Sequence, residues 1–155
     1  MELRTFVGYL FRFMANIIRF FFAGFFFLLI ACTQERSPVP NGTVDIYLDL
    51  NQPQFNGFVP GTSVFITGGA SGLGIVIYRA TMSEFRAFDR MCTSKTHEPH
   101  RVDLSQSSNF ILECSMCRSR FNITDGSVTQ GPASFNLTEY QCFYNQTNNS
   151  LWISN

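Results

Sequence analysis

Apolar and polar residues alternate with a period of two along much of the chain after residue 40. In Val44–Leu50 (VDIYLDL) every second residue is aliphatic, which is typical of a strand with one buried face. Short runs rich in β-branched and aromatic residues predict further strands at 64–67, 75–79, 84–88, 101–103, 109–113, 137–143 and 151–154. No segment after residue 40 keeps a 3.6-residue apolar period over ten positions. The pattern therefore predicts an all-β sandwich or small barrel.

The N-terminal segment has a different character. Phe20–Ile30 is apolar apart from one glycine and follows three arginines. It is shorter than the ~20 apolar residues of a spanning helix and matches a signal-peptide core. The run ends in Leu29–Cys32 (LIAC), which resembles the bacterial lipobox. We expect a signal peptide at 1–31, a linker at 32–43 after a lipidated Cys32, and a folded domain at 44–155; the alternative is an uncleaved anchor helix.

Both alternatives place the folded part in the cell envelope, anchored to a bacterial membrane on its periplasmic or outer face. A length of 155 residues favours one domain besides the targeting segment. The formal net charge is zero and the sequence pI is about 6.7, so the charge gives no sign of nucleic-acid binding.

The stretch Thr67–Gly74 (TGGASGLG) matches the dinucleotide loop of short-chain dehydrogenases as a string. Such a loop must open a helix whose N-terminal amides face a pyrophosphate. Ile75–Arg79 follows instead and predicts a strand. The dehydrogenase Tyr-x-x-x-Lys pair is also missing, since Met91 lies four positions before Lys95, the only lysine. We therefore expect no NAD(P) site and no dehydrogenase, but a loop between antiparallel strands whose glycines adopt positive φ.

Four cysteines follow Cys32, at positions 92, 114, 117 and 142. Cys114 and Cys117 form a Cys-x-x-Cys turn, which directs two sulfur atoms at one metal. A second loop bearing Cys92 would complete such a site. The alternatives for this turn are a local disulfide or a redox pair.

The residues around these cysteines resemble the Rieske iron–sulfur domain. The similarity rests on Phe88–Cys92 (FDRMC), Cys114–Phe121 (CSMCRSRF) and Asp125–Ala133 (DGSVTQGPA), and it extends roughly from Val44 to the C-terminus. More narrowly, the chain is similar to Rieske-like bacterial lipoproteins with an altered ligand set. The resemblance implies a sandwich with a rubredoxin-like metal-loop subdomain at 89–104 and 111–133. It also implies a [2Fe–2S] cluster, electron transfer with an unidentified redox partner, and a module that is not itself catalytic.

The resemblance implies specific roles. Cys92 and Cys114 occupy the family's two Cys positions, Ser119 matches a hydroxyl beside the cluster, and Gly131–Ala133 matches the covering Pro loop. Ser94 and Cys117 stand where the family has its two His ligands, and Arg118 stands where it usually has Gly.

Three outcomes follow from this altered ligand set. A metal centre could use Cys92, Cys114, Cys117 and His100, which is preferred to His97 because a strand follows it. Cys142 could instead replace a lost ligand. Alternatively, a disulfide could stand in place of the metal. The predicted function is a membrane-tethered Rieske-like electron-transfer protein, and the alternative is a structural or binding lipoprotein with zinc, a disulfide or no metal.

Overall fold

The computed structural model describes residues 37–155, which form one compact unit. The fold of this range is all-β, as the sequence predicts, with one 3-10 turn at Pro53–Phe55. The strands, in chain order, are β1 (Asp45–Asp49), β2 (Ser63–Ile66), β3 (Ile75–Arg79), β4 (Phe85–Asp89), β5 (Val102–Ser105), β6 (Ser108–Cys114), β7 (Arg120–Asn122), β8 (Val128–Gln130), β9 (Glu139–Asn145) and β10 (Ser150–Ser154).

Six strands form the larger sheet, in the antiparallel order β1-β10-β9-β4-β3-β2. The alternation in Val44–Leu50 has its predicted effect, because Val44 and Leu50 are buried while Tyr47 is 65% exposed. The buried face contributes to a first core with Ile77, Leu151 and other apolar residues. The first and last strands of the described range lie side by side here, since β1 pairs with β10.

The glycine-rich stretch joins β2 to β3 as a loop between antiparallel strands, and no helix follows it. Gly68, Gly69, Gly72 and Gly74 all have positive φ, a region that glycine enters without a steric cost. The Gly74 N–H donates to the Gly68 carbonyl at 2.9 Å and closes the loop. The prediction of a strand after Gly74 is confirmed.

The remaining strands form a smaller sheet in the order β5-β6-β7-β8. It occupies the part of the chain where the sequence predicts a metal-loop subdomain. The three-residue strands β7 and β8 are absent from the sequence prediction, because they are too short to show an alternating pattern. A second core lies against this sheet and includes Phe88, Phe121, Cys92 and Cys114.

Several predictions concern residues outside the described range. The signal peptide at 1–31, the lipidated Cys32 and the first residues of the linker lie there. Within residues 37–155, no helix combines the length and apolar character needed to cross a membrane.

Candidate metal centre

Cys92 lies just after β4, at the base of a loop that the backbone closes tightly. Its N–H donates to the carbonyl of His100 at 2.8 Å. Beside this bond, Met91 and Arg101 form an isolated antiparallel bridge. Residues 93–99 therefore project as a loop from a fixed base, with Cys92 at its start.

The second cysteine loop is a tight turn between β6 and β7. Cys114 is the last residue of β6, and its N–H donates to the carbonyl of Ser119 at 2.9 Å. The N–H of Arg118 donates back to the carbonyl of Cys114 at 2.9 Å. Cys117 lies inside this closed turn, so its sulfur is directed toward the first loop.

The two loops bring together four potential metal ligands, Cys92, His97, Cys114 and Cys117, whose ligand atoms all lie within 4.8 Å of one another. The Sγ atoms of Cys92 and Cys117 are 3.7 Å apart, and Cys114 Sγ lies 3.6 Å from His97 Nε2. Cys92 and Cys114 are buried, whereas Cys117 and His97 are half-buried. None of the cysteines in residues 37–155 forms a disulfide.

His97, and not His100, is the histidine that the structure places with the cysteines. Its Nδ1 donates to the Glu98 carbonyl at 2.6 Å, because a carbonyl oxygen can only accept. In the neutral ring the lone pair then lies on Nε2, the atom that faces Cys114. His100 Nε2 instead hydrogen-bonds Ser115 Oγ at 2.9 Å. The strand after His100 does fix the direction of its side chain, but toward Ser115.

Cys142 lies apart from this group, whereas the Ser94 backbone hydrogen-bonds the Cys92 thiol. Cys142, on β9, packs against the first core, whereas the three grouped cysteines line the second. Ser94, in the family's first His position, is buried, and its Oγ bonds Thr96 Oγ1 at 2.8 Å. Ser94 therefore organises its own loop.

Ser119 links the second cysteine loop to Gly131–Ala133. It is fully buried, and its Oγ accepts from the Ala133 N–H at 2.9 Å. The hydroxyl hydrogen is then directed at Cys117 Sγ, 3.1 Å away. The predicted contact between Ser119 and the candidate centre is therefore present, and it is made through Cys117.

The thiols of the group differ in their ionisation. Burial is the main influence on Cys92 and raises its pKa. Burial also acts to raise the pKa of Cys117, but hydrogen bonds from the Ser119 hydroxyl and backbone, from the protonated His97 ring and from Cys114 lower it to about 6. The hydrogen bond to the Glu98 carbonyl raises the pKa of His97. At neutral pH Cys117 is thus better prepared than Cys92 to act as a thiolate ligand.

The Phe-Asp-Arg sequence before Cys92 holds the first loop in place. The Asp89 carboxylate is fully buried and accepts hydrogen bonds from the Ser71 N–H, the Ser71 hydroxyl, the Met91 N–H and the Tyr140 hydroxyl. Arg90 bridges to the smaller sheet, where its Nε donates to the Val102 carbonyl at 3.1 Å. The glycine-rich loop therefore contributes Ser71 to the support of the cysteine loop.

Gly126 packs directly on the buried ring of Phe88. A Cβ at this position would lie 2.8 Å from Phe88 Cε1, and φ is +71°. Both the close approach and the positive φ require glycine. This explains the Asp-Gly pair of the sequence motif.

Residues 56–141, more than half of the chain, match the family model of the Rieske [2Fe–2S] domain. The chain belongs to this family. The fold is similar to that of several solved structures. One is a chain of the complex of reduced oxygenase and oxidised ferredoxin in carbazole 1,9a-dioxygenase. Its TM-score is 0.46 at 16% sequence identity, and the match covers 72% of this chain and 92% of that one. Another is the ferredoxin of carbazole 1,9a-dioxygenase from Nocardioides aromaticivorans IC177 (TM-score 0.45, 15% identity, covering 73% and 97%). No curated protein matches the chain significantly.

The ligand atom types of this Rieske domain fit the family's cofactor. Cysteine sulfur and histidine nitrogen are the two ligand types of a Rieske [2Fe–2S] cluster, and the group contains both. It departs from the family in number, with three sulfurs and one imidazole in place of two of each. The family and the Cys/His group together make the chain an electron-transfer iron–sulfur domain.

Arg118, in the second cysteine loop, stands where the family usually has Gly, and substitution tests the strain of its backbone. Its φ is +63°, a left-handed conformation that costs a non-glycine residue about 1–2 kcal/mol. Its Nε also forms an ion pair with Glu113 at 3.0 Å, in which the Arg118 side chain is 69% exposed, and such a pair contributes ~0.2–1 kcal/mol. We expect Arg118→Gly to raise the free energy of unfolding by about 0.5 kcal/mol, because the relieved strain exceeds the lost pair.

Arg118→Ala is the matched control, since it loses the ion pair but keeps the strain. It should lower the free energy of unfolding by about 0.5 kcal/mol in chemical denaturation followed by the fluorescence of Trp152, the only tryptophan. Equal stability of the glycine and alanine variants would contradict this account.

Proposed function

We propose that this iron–sulfur domain is tethered to a membrane through a lipid on Cys32 and transfers electrons to or from a protein partner. In this proposal Cys92, His97, Cys114 and Cys117 hold the [2Fe–2S] cluster. The observation that supports it best is that these four ligand atoms meet within 4.8 Å, at the two loops that carry the family's cluster motifs.

The roles of the ligands follow from their surroundings. When bound, the [2Fe–2S] cluster supplies one-electron transfer. Cys92 and Cys114 hold the buried side, where the second core excludes water. Cys117 and His97 hold the more exposed side. Ser119 donates to Cys117 Sγ, and hydrogen bonds to cluster sulfur are among the factors that set the reduction potential.

Electron exchange needs a short path to the surface, and the exposed side of the group offers one. Met116, between Cys114 and Cys117, is 63% exposed, and the Arg118 side chain is 69% exposed. Cys117 itself is half-buried. A partner that docks over Met116 would therefore lie next to a ligand of the cluster.

The choice of histidine gives a direct test of the ligand set. His97→Ala is expected to reduce the iron content of protein purified without oxygen by about tenfold, because one of four ligands is lost. His100→Ala is the matched control and should keep wild-type iron, since the His100 side chain bonds Ser115 outside the group. The opposite result, with iron lost only in His100→Ala, would show that His100 is the ligand.

The tether is tested by lipid incorporation. Bacteria that express the full chain and are fed an alkyne-bearing fatty acid should label the wild-type protein and retain it in the membrane fraction. Cys32→Ser should abolish the label, while Cys142→Ser should keep it. Equal labelling of wild type and Cys32→Ser would contradict lipidation at Cys32, and release of the unlabelled variant from the membrane would show that the lipid is the anchor.

A further inference from the structure

Two distances within the group of four ligand atoms match those around a single metal ion, and all four atoms lie within 4.8 Å of one another. A tetrahedral zinc with Zn–S bonds of about 2.3 Å places neighbouring sulfurs about 3.8 Å apart. The observed separation of the Cys92 and Cys117 sulfurs is 3.7 Å. With a Zn–N bond of about 2.0–2.1 Å, sulfur and nitrogen lie about 3.6 Å apart. Cys114 Sγ and His97 Nε2 are 3.6 Å apart.

The two distances join different atoms, so together they involve all four ligands. In the family, one iron is held by the two cysteines and the other by the two histidines. Cys92 occupies a cysteine position and Cys117 a histidine position, so ligands of different irons would be expected to lie farther apart than ligands of one ion. Their sulfurs lie at the distance expected around one ion, so a cluster-loaded form would hold Cys92 and Cys117 farther apart than they are here.

The chemistry of the group also suits zinc. Three sulfurs and one imidazole form the Cys₃His set of structural zinc sites. Two of the ligands are oriented by further hydrogen bonds, because His97 Nδ1 donates to the Glu98 carbonyl and Cys117 accepts from Ser119. The group offers four protein ligands, the number that a closed structural zinc site uses.

We propose that Cys92, His97, Cys114 and Cys117 also bind a single Zn²⁺ in tetrahedral geometry when the site holds no iron–sulfur cluster. The inference rests on the ligand set of the proposed function but not on electron transfer. It makes the site one with two alternative metal states, a cluster-loaded form and a zinc-loaded form.

The test uses the full chain in detergent, produced under iron limitation and treated with a chelator under reducing conditions. Titration with Co²⁺ as a coloured substitute, followed by displacement with Zn²⁺, gives stoichiometry and affinity. X-ray absorption at the zinc edge gives the ligands. We expect one Zn²⁺ per chain, with three sulfurs and one nitrogen at about 2.3 and 2.0–2.1 Å.

Variants assign these ligands. His97→Ala should lose the nitrogen and weaken zinc binding by at least about tenfold, and Cys117→Ser should weaken it by about 100-fold. His100→Ala and Cys142→Ser should match the wild type. A zinc shell dominated by oxygen, a stoichiometry other than one, or loss of zinc nitrogen in His100→Ala would overturn the proposal. Iron and sulfide content of the isolated protein is measured separately, so a chain that holds a cluster but no zinc would overturn only this inference.

Discussion

Replacing Cys117 with serine is expected to abolish cluster binding while leaving the fold intact. Iron in the variant, purified without oxygen, should fall below about a tenth of the wild-type level, because a serine hydroxyl stays protonated and is a poor ligand for iron–sulfur centres. In the wild type the Ser119 hydroxyl and His97 lower the pKa of Cys117 to about 6, although burial opposes this, and they favour the thiolate. A serine at this position remains a neutral hydroxyl despite these contacts.

The fold should tolerate this change. Cys117 is half-buried, and its loop is closed by backbone hydrogen bonds that do not involve the side chain. We expect the free energy of unfolding of the apo form to change by less than about 1 kcal/mol. Cys142→Ser is the matched control, because Cys142 packs against the first core, away from the group. Wild-type iron in Cys117→Ser would show that the ligand set is wrong.

Replacing Asp89 with alanine is expected to have the largest effect on stability. The carboxylate is fully buried and accepts from two backbone N–H groups and two hydroxyls. Its removal leaves the buried Met91 N–H and Tyr140 hydroxyl without an acceptor, together with the two partly buried donors of Ser71. Unpaired buried polar groups cost about 1–3 kcal/mol each. We therefore expect a loss of at least about 3 kcal/mol in the free energy of unfolding, followed by Trp152 fluorescence.

Asp89→Asn removes the charge but keeps the shape of the side chain and one acceptor oxygen. It should therefore lose less stability than Asp89→Ala. Asp125→Ala is the surface control, since this carboxylate is exposed and accepts from the neighbouring Ser127, and its removal should cost less than about 1 kcal/mol. Tyr140 provides a further readout. Burial and the hydrogen bond to Asp89 raise the pKa of its hydroxyl, and that pKa should fall in Asp89→Asn. A loss of stability no larger than that of Asp125→Ala would contradict the central role of Asp89.

Much of the fold could be predicted from the sequence, and the limits have physical reasons. Long strands such as β1 and β3 show their alternation or β-branched composition directly. The glycine-rich loop was correctly assigned from its neighbours, because the strand-forming Ile75–Arg79 excludes a phosphate-binding helix. The sequence does not predict β7 and β8, because a strand of three residues is too short to show an alternating apolar pattern.

The candidate site was predictable in its cysteines but not in its histidine. Cys92, Cys114 and Cys117 follow from motif spacing. The selection between His97 and His100 depends on a backbone bond, from Cys92 N–H to the His100 carbonyl, that places His100 at the base of the loop. A useful signal was available, since His97 lies near the middle of the segment between Cys92 and His100, where a side chain can turn back to the cysteines. The role of Ser71 in supporting Asp89 depends on long-range contacts that local patterns do not encode.

In the proposed function these two loops hold a [2Fe–2S] cluster with three sulfur ligands and one nitrogen. The most direct measurement is the iron, acid-labile sulfide and electron paramagnetic resonance of the full chain purified without oxygen and then reduced. We predict two irons and two sulfides per chain, with hyperfine coupling to one imidazole nitrogen ligand that is lost in His97→Ala. Iron without sulfide, or a reduced protein with no cluster signal, would contradict the account.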